Sequence, residues 1–90
     1  MGLFKKKKYD MSIFDINEKT EMRILLEQYL DANKRDEKKQ WRIVKALKDL
    51  EKNACTEADM ECIKGAFNRY QNYLNDRAWS AVEKIKENGY

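Results

Sequence analysis

The feature that most constrains this fold is the proline-free stretch from Thr56 to Tyr90, in which apolar residues recur at helical spacing. At intervals of three and four residues they place one face of an α-helix on Met60, Ile63, Phe67, Tyr70, Leu74, Ala78, Ala81 and Ile85. Such a stripe is typical of an amphipathic helix packed against a core. Thr56 and Asp59 form a capping-box pattern at its start. We therefore predict a long helix over residues 56–88.

Two shorter helices are predicted before it. Asp15, followed three residues later by Glu18, marks the start of a helix over residues 15–32, and another is expected over residues 36–53. Their inward-facing residues are Met22, Leu25, Leu26, Tyr29 and Leu30 in the first, and Ile43, Val44, Leu47 and Leu50 in the second. Trp41 lies at the border of the second stripe, and we expect its ring to cover the edge of the core.

These segments predict an all-α protein, a small three-helix bundle. The chain has no proline and 3 glycines in 90 residues, which leaves β architectures without their usual turn residues. A chain of this length supplies one core, which we place in residues 15–90. Residues 1–14 form a basic leader, expected to be mobile over residues 1–8, and an extended segment from Tyr9 to Phe14 laid over the helices.

The length of the last helix leaves two possibilities open. A continuous helix of about 30 residues would be about 45 Å long, whereas the first two would each span only about 25–28 Å. The stretch from Leu74 to Ile85 would then remain uncovered and available to a partner. A break near Asn75 and Asp76, with Asp76 as cap, would instead fold the last segment back as a fourth helix. We favour the continuous helix because no strong helix breaker lies between Leu74 and Glu87.

The residue inventory argues against catalysis and against a cofactor or metal. The chain has no histidine, the commonest general base and nitrogen ligand. Cys55 and Cys62 lack the two further ligands of a zinc site. On one helix they would lie about 10 Å apart, too far for a disulfide, so we expect reduced thiols. Gly65 stands alone in a helix and is expected to permit close packing.

A protein-binding role is the leading functional prediction. No apolar run is long enough to span a bilayer, and the start of the chain lacks the pattern of a secretory signal, so we expect a cytoplasmic protein. A helical module without reactive groups suits an interaction, regulatory or inhibitor protein. The protein partner could also be a second copy of this chain. The interface candidates lie in the last helical segment: Tyr73, Leu74, Ala78, Trp79, Val82 and Ile85.

Nucleic-acid binding is the first alternative. Residues 1–48 hold 13 basic and 8 acidic side chains, whereas residues 49–90 hold 6 and 8. The basic half is where an anionic partner would bind. The candidates follow the second helix and the turn before it: Lys34, Arg35, Lys38, Lys39, Trp41, Arg42, Lys45 and Lys48.

Attachment to a membrane surface is the second alternative. The leader combines two apolar residues with four cations, and its candidate residues are Leu3, Phe4, Lys5, Lys6, Lys7 and Lys8. Each lysine near an anionic bilayer contributes about 1 kcal/mol, but a single signal of this kind gives weak attachment.

Overall fold

The computed structural model describes residues 9–90, and in this part of the chain it places four α-helices. They are α1 (Ile16–Ala32), α2 (Glu37–Glu51), α3 (Glu57–Arg69) and α4 (Asp76–Glu87). Two short 3₁₀ turns, Met11–Ile13 and Gln71–Tyr73, precede α1 and α4. The all-α prediction is confirmed, whereas the helices of residues 9–90 number four and not three.

Reciprocal side-chain caps fix the starts of α1 and α3. The Glu18 amide donates to Asp15 Oδ1 at 2.8 Å, and the Asp15 amide donates to Glu18 Oε1 at 2.8 Å. At α3, the Thr56 amide donates to Asp59 Oδ2 at 2.9 Å while Thr56 Oγ1 accepts from the Asp59 amide at 3.4 Å. Both predicted capping boxes are confirmed. They stabilise the helix starts because they satisfy amides that have no partner inside a helix.

The predicted continuous helix over residues 56–88 is wrong. Helix α3 ends at Arg69, and α4 begins after Asn75, whose Oδ1 accepts from the Ala78 amide at 2.9 Å. Asp76, the predicted cap, is the first residue of α4. The break lets α4 fold back and pack on α1, which contacts each of the other three helices. The fourth-helix alternative is therefore right, with a cap one residue earlier than expected.

The core is one cluster of buried apolar side chains that draws on all four helices and on the segment before them. Its helical members are Met22, Leu25 and Leu26 of α1, Ile43, Ala46 and Leu50 of α2, Met60, Ile63, Ala66 and Phe67 of α3, and Ala78, Ala81 and Ile85 of α4. Met11 and Phe14 are buried in the same cluster. The segment from Tyr9 to Phe14 thus lies over the helices as predicted, but it forms a 3₁₀ turn where an extended chain was expected.

Helix α2 is rotated relative to the prediction. Its buried face centres on Ile43 and Ala46, both 0% exposed, and Trp41 is 68% exposed. The expected role of Trp41 at the edge of the core is therefore wrong. Ala46 is fully buried on that side, and Asp49, three residues further along the helix, is buried next to it. The rotation turns Trp41 toward solvent.

Gly65 lies where α3 meets α1. A Cβ atom at this position would come within 3.3 Å of Tyr29 Oη, closer than an ordinary van der Waals contact. The prediction that Gly65 permits close helix packing is confirmed.

Candidate functional site

A groove between α3 and α4 is the clearest candidate for a binding surface. It measures about 250 Å³ and is lined by the apolar side chains of Phe67, Leu74, Trp79, Val82 and Ile85. We call it the α3–α4 groove. Its size is below the range usual for small-molecule pockets, about 300–1,000 Å³, and suits one or two side chains of another protein.

The charged side chains that line this groove are both cationic. Lys64 Nζ donates to the Tyr90 carbonyl at 3.0 Å and lies 3.0 Å from Glu61 Oε1, so it is held in place. Lys86 forms no ion pair within residues 9–90. The groove therefore combines an apolar lining with two cations, of which Lys64 is paired with Glu61 and Lys86 is unpaired in the described part of the chain.

The predicted protein-interface residues divide into buried and accessible groups. Ala78 and Ile85 are 1% and 4% exposed and belong to the chain's own core. The uncovered stripe expected from Leu74 to Ile85 is thus closed by the folding back of α4. Trp79 and Tyr73 remain accessible, at 41% and 84% exposure. Leu74 and Val82 are half-buried and line the α3–α4 groove together with Trp79, whereas Tyr73 is not part of its lining.

A wider depression lies between α1 and α2. It measures about 660 Å³, and its apolar lining includes Ile16, which is 79% exposed, and Val44. Charged residues of both signs surround it, namely Lys19, Arg23, Glu27, Lys48 and Glu51. The mixed charge selects no particular partner.

The predicted basic surface of α2 divides into free and paired cations. Lys34, Arg35, Lys38, Lys39, Trp41 and Lys48 are exposed. Lys34 Nζ lies 3.0 Å from Asp31 Oδ1, and Lys39 lies over the Tyr29 ring at 5.0 Å. Of the predicted cations, Arg35, Lys38 and Lys48 have no ion pair within residues 9–90.

Arg42 does not belong to a free basic surface. Its guanidinium bonds Asp59 of α3, whose side chain is 0% exposed, and the Arg42 side chain is itself only 29% exposed. Lys45 Nζ pairs with Asp49 Oδ2 at 2.6 Å. A buried carboxylate requires a partner of this kind because removal from water disfavours its charge. Arg42 therefore joins α2 to α3 instead of facing a ligand.

The carboxylates of Asp49 and Asp59 also affect the pKa of the nearby Cys55 thiol. The pKa of Asp49 lies below its ordinary value despite burial, and the Lys45 ammonium, which donates to Asp49 Oδ2 at 2.6 Å, favours its charged form. Burial, reinforced by the Asp59 and Asp49 charges, raises the pKa of the Cys55 thiol to about 12. Because the thiolate is the nucleophilic form, Cys55 is chemically quiet. Both cysteines are free thiols, as predicted.

A second buried carboxylate, Glu18, holds α4 on α1. Its oxygens accept from Ser80 Oγ at 2.6 Å, from Lys84 Nζ at 2.6 Å and from the Asp15 amide at 2.8 Å. Burial would raise the pKa of Glu18, but the hydrogen bonds from Lys84, Ser80 and Asp15 together lower it. A carboxylate with a lowered pKa and occupied acceptors is a poor general base. We assign this network to the fold.

Sequence patterns reveal these charged networks only in part. The capping box identifies one role of Glu18 and one of Asp59, yet both carboxylates also bind a cation from another helix. Ser80 and Lys84 are four residues apart and share a helix face, which is the signal that could have paired them with a common partner.

The predicted membrane surface is not tested by residues 9–90. The membrane candidates, from Leu3 to Lys8, lie outside the described residues. Within the described part of the chain, no helix is long and apolar enough to cross a bilayer. No group of three or more acidic or cysteine side chains comes together there as a metal cluster.

Within residues 9–90, the geometry thus favours the α3–α4 groove and the exposed face of α2 as candidate surfaces for a macromolecule. Comparison with protein-family models, with curated proteins and with solved structures finds no match to this chain.

Proposed function

We propose that this chain is a small, non-enzymatic cytoplasmic protein that binds another protein through the α3–α4 groove. The observation that carries the proposal is Trp79, which lines an apolar groove and is still 41% exposed. Large aromatic side chains in partly closed pockets are the residues that most often dominate protein interfaces.

The energetic gain from covering Trp79 is substantial. A tryptophan side chain presents roughly 150–250 Å² of surface. Burying the remaining two-fifths at about 25 cal/mol per Å² would contribute roughly 2 kcal/mol. That is the level at which an interface residue counts as a hot spot. Leu74 and Val82, half-buried in the same groove, would add to the covered area.

The charge of the groove defines its occupant. Lys64 and Lys86 line it, and no acidic side chain does. We infer a segment of a partner protein that inserts apolar side chains between carboxylates, since opposite charge at the rim favours the correct orientation and the rate of association. An interaction of this kind suits a regulatory or inhibitor protein.

Two matched tryptophan variants test this function. Trp79→Ala removes the groove aromatic, whereas Trp41→Ala removes an exposed tryptophan from a different helix and serves as the control. We would capture partners of the full chain from native extract with nuclease present, then purify each captured protein and measure its affinity for both variants directly. The expected result is a loss of about ten-fold or more for Trp79→Ala alone.

A photocrosslinking amino acid placed at Tyr73, which is 84% exposed and directly precedes the groove residue Leu74, provides the second readout. It should crosslink the partner at an apolar segment flanked by acidic residues. Equal affinities of the two tryptophan variants, or crosslinks to a segment without carboxylates, would refute the proposed site. Crosslinks between copies of this chain, with sedimentation showing a dimer, would replace a partner protein by self-association.

A further inference from the structure

Trp41 lies on α2 between cations, away from the α3–α4 groove. It is 68% exposed, an unusual state for so large an apolar ring. Lys38, Lys45 and Lys48 stand three residues before it, four after it and seven after it, which places them on the same side of the helix. We call Lys38, Trp41, Lys45 and Lys48 the Trp41 stripe.

The cations of the Trp41 stripe differ in their availability. Lys38 and Lys48 have no ion pair within residues 9–90, while Lys45 is paired with Asp49 and its side chain remains 44% exposed. Ten residues separate Lys38 from Lys48, a rise of about 15 Å along α2. The stripe therefore places one unpaired cation on each side of an accessible ring, Lys38 before it and Lys48 after it. The paired Lys45 lies between Trp41 and Lys48.

This arrangement matches the two requirements of a single-stranded nucleic acid. Cations contact successive phosphates, and an exposed aromatic side chain stacks on a base whose face is open. A duplex hides its base faces. Arginine and lysine can also read guanine edges in a duplex, but they do so without a stacked ring, so the exposed Trp41 favours a single strand. Arg42, the guanidinium nearest in sequence, is bonded to Asp59.

A lipid surface is a poorer match for the same residues. Membrane-binding helices present a continuous apolar face to the bilayer. On the exposed side of α2, Trp41 is flanked instead by Glu37, Lys38 and Lys45. A single ring between charged neighbours can stack on a base, but it supplies little area to an acyl layer.

We propose that the Trp41 stripe binds single-stranded nucleic acid without sequence specificity, with Trp41 stacked on a base and Lys38 and Lys48 in contact with phosphates. This site is separate from the α3–α4 groove and does not depend on the function assigned to that groove.

Tryptophan fluorescence tests the site directly. The Trp79→Phe variant of the full chain leaves Trp41 as its one tryptophan, and the probe is an oligothymidylate of about 15 nucleotides. Stacking should quench Trp41 emission as the oligonucleotide is added at roughly 50 mM salt. Contact with two or three phosphates predicts a slope of about −1.4 to −2 in a plot of log affinity against log salt.

Matched variants separate stacking from general attraction of charge. Trp41→Ala should weaken binding about ten-fold, and Lys38→Gln with Lys48→Gln should weaken it and flatten the salt slope. Trp79→Ala and Lys86→Gln serve as the aromatic and cationic controls and should bind as the parent does. Replacing Lys5, Lys6, Lys7 and Lys8 by Gln should preserve the quenching of Trp41, because the leader lysines attract phosphates without stacking.

Several results would overturn the proposal. They are an absence of quenching at low salt, equal affinities of Trp41→Ala and Trp79→Ala, and equal or tighter binding of the matching duplex. Tighter binding of a polyglutamate peptide or of vesicles containing phosphatidylserine would assign the stripe to an acidic protein or to a membrane instead.

Discussion

Lys84 of α4 donates a hydrogen bond of 2.6 Å to Glu18 of α1, a carboxylate whose side chain is only 2% exposed. The same ammonium donates to the Ile13 carbonyl at 2.9 Å, so one side chain contacts both α1 and the segment before it. The folding back of α4 therefore satisfies a buried charge in addition to burying apolar surface. This contact distinguishes the observed bundle from one with a projecting third helix.

Replacing Glu18 by Gln should destabilise the fold by about 2 kcal/mol, because charged hydrogen bonds to Lys84 and Ser80 are lost. Chemical denaturation in urea measures the free energy of unfolding. Glu27→Gln is the control on the same helix, since Glu27 and its partner Arg23 are both more than half exposed. It should change stability by less than about 0.5 kcal/mol. Equal effects of the two substitutions would contradict the assigned role of Glu18.

The contribution of Glu18 should depend on pH at both ends of the scale. The pKa of Glu18 is lowered from 4.5, so its stabilisation is present above that value and is lost as the pH falls through the lowered pKa. The hydrogen bond to Glu18 raises the pKa of Lys84 above 10.5, so its stabilisation is present below 10.5 and is lost at higher pH. The parent and Glu18→Gln should thus differ by a constant free energy of unfolding between about pH 5 and pH 10.

That difference should shrink outside this window. The carboxyls of Asp10 and Asp49, whose pKa values are also lowered, are present in both proteins and largely cancel. Urea titrations at a series of pH values provide the measurement. A difference that grows as the solution is acidified has the opposite sign and would reject the linkage.

Removing the Arg42 guanidinium should cost more than removing any exposed cation of α2. Arg42→Met leaves the Asp59 carboxylate, 0% exposed, without its cation, and we expect a loss of about 3 kcal/mol. Lys38→Met, on the same helix and exposed, should stay within about 0.5 kcal/mol of the parent. The measurement is the urea concentration at the unfolding midpoint of each variant. Equal midpoints for Arg42→Met and Lys38→Met would show that Arg42 is not needed to pair Asp59.

The two thiols should react at different rates in the folded protein. Cys55 is buried with its pKa raised to about 12, whereas Cys62 is half-buried with a pKa that burial also raises. Iodoacetamide at about pH 8 should therefore modify Cys62 first and Cys55 only after unfolding. Mass spectrometry of peptides from timed samples gives both rates. In urea the rates should converge, and faster modification of Cys55 in the native state would contradict its burial.

Sequence reasoning succeeds where a structure is determined by neighbouring residues. The helix starts at Asp15 and Thr56 depend on side chains three residues away, and both appear as predicted. The stretch between α3 and α4 contains no proline or glycine, and apolar spacing continues from Phe67 through Leu74. The spacing of apolar residues therefore does not reveal the break between α3 and α4. The break is stabilised by the burial of apolar surface between α4 and α1, which are far apart in the sequence.

The candidate sites show the same division. The exposure of Trp41 follows from the rotation of α2 toward Ala46, and that rotation depends on the packing of α2 against α1 and α3. Arg42 resembles its neighbouring cations in the sequence, but its partner Asp59 lies 17 residues away on α3. The contacts of Lys84 with Glu18 span 66 residues. Pairings over such distances leave no trace in local spacing, so surface and buried cations could not be separated in advance.

The central position of α1 has a consequence for biosynthesis. This helix leaves the ribosome before the three helices that contact it. Its Glu18 cannot form the hydrogen bond with Lys84 until that residue, 66 positions later, has been translated. A nascent chain that ends before α4 therefore lacks the partner of an internal carboxylate and leaves one side of α1 open to solvent. Cooperative folding should therefore begin only when α4 has emerged from the ribosome, because until then α1 lacks one of the helices that cover it.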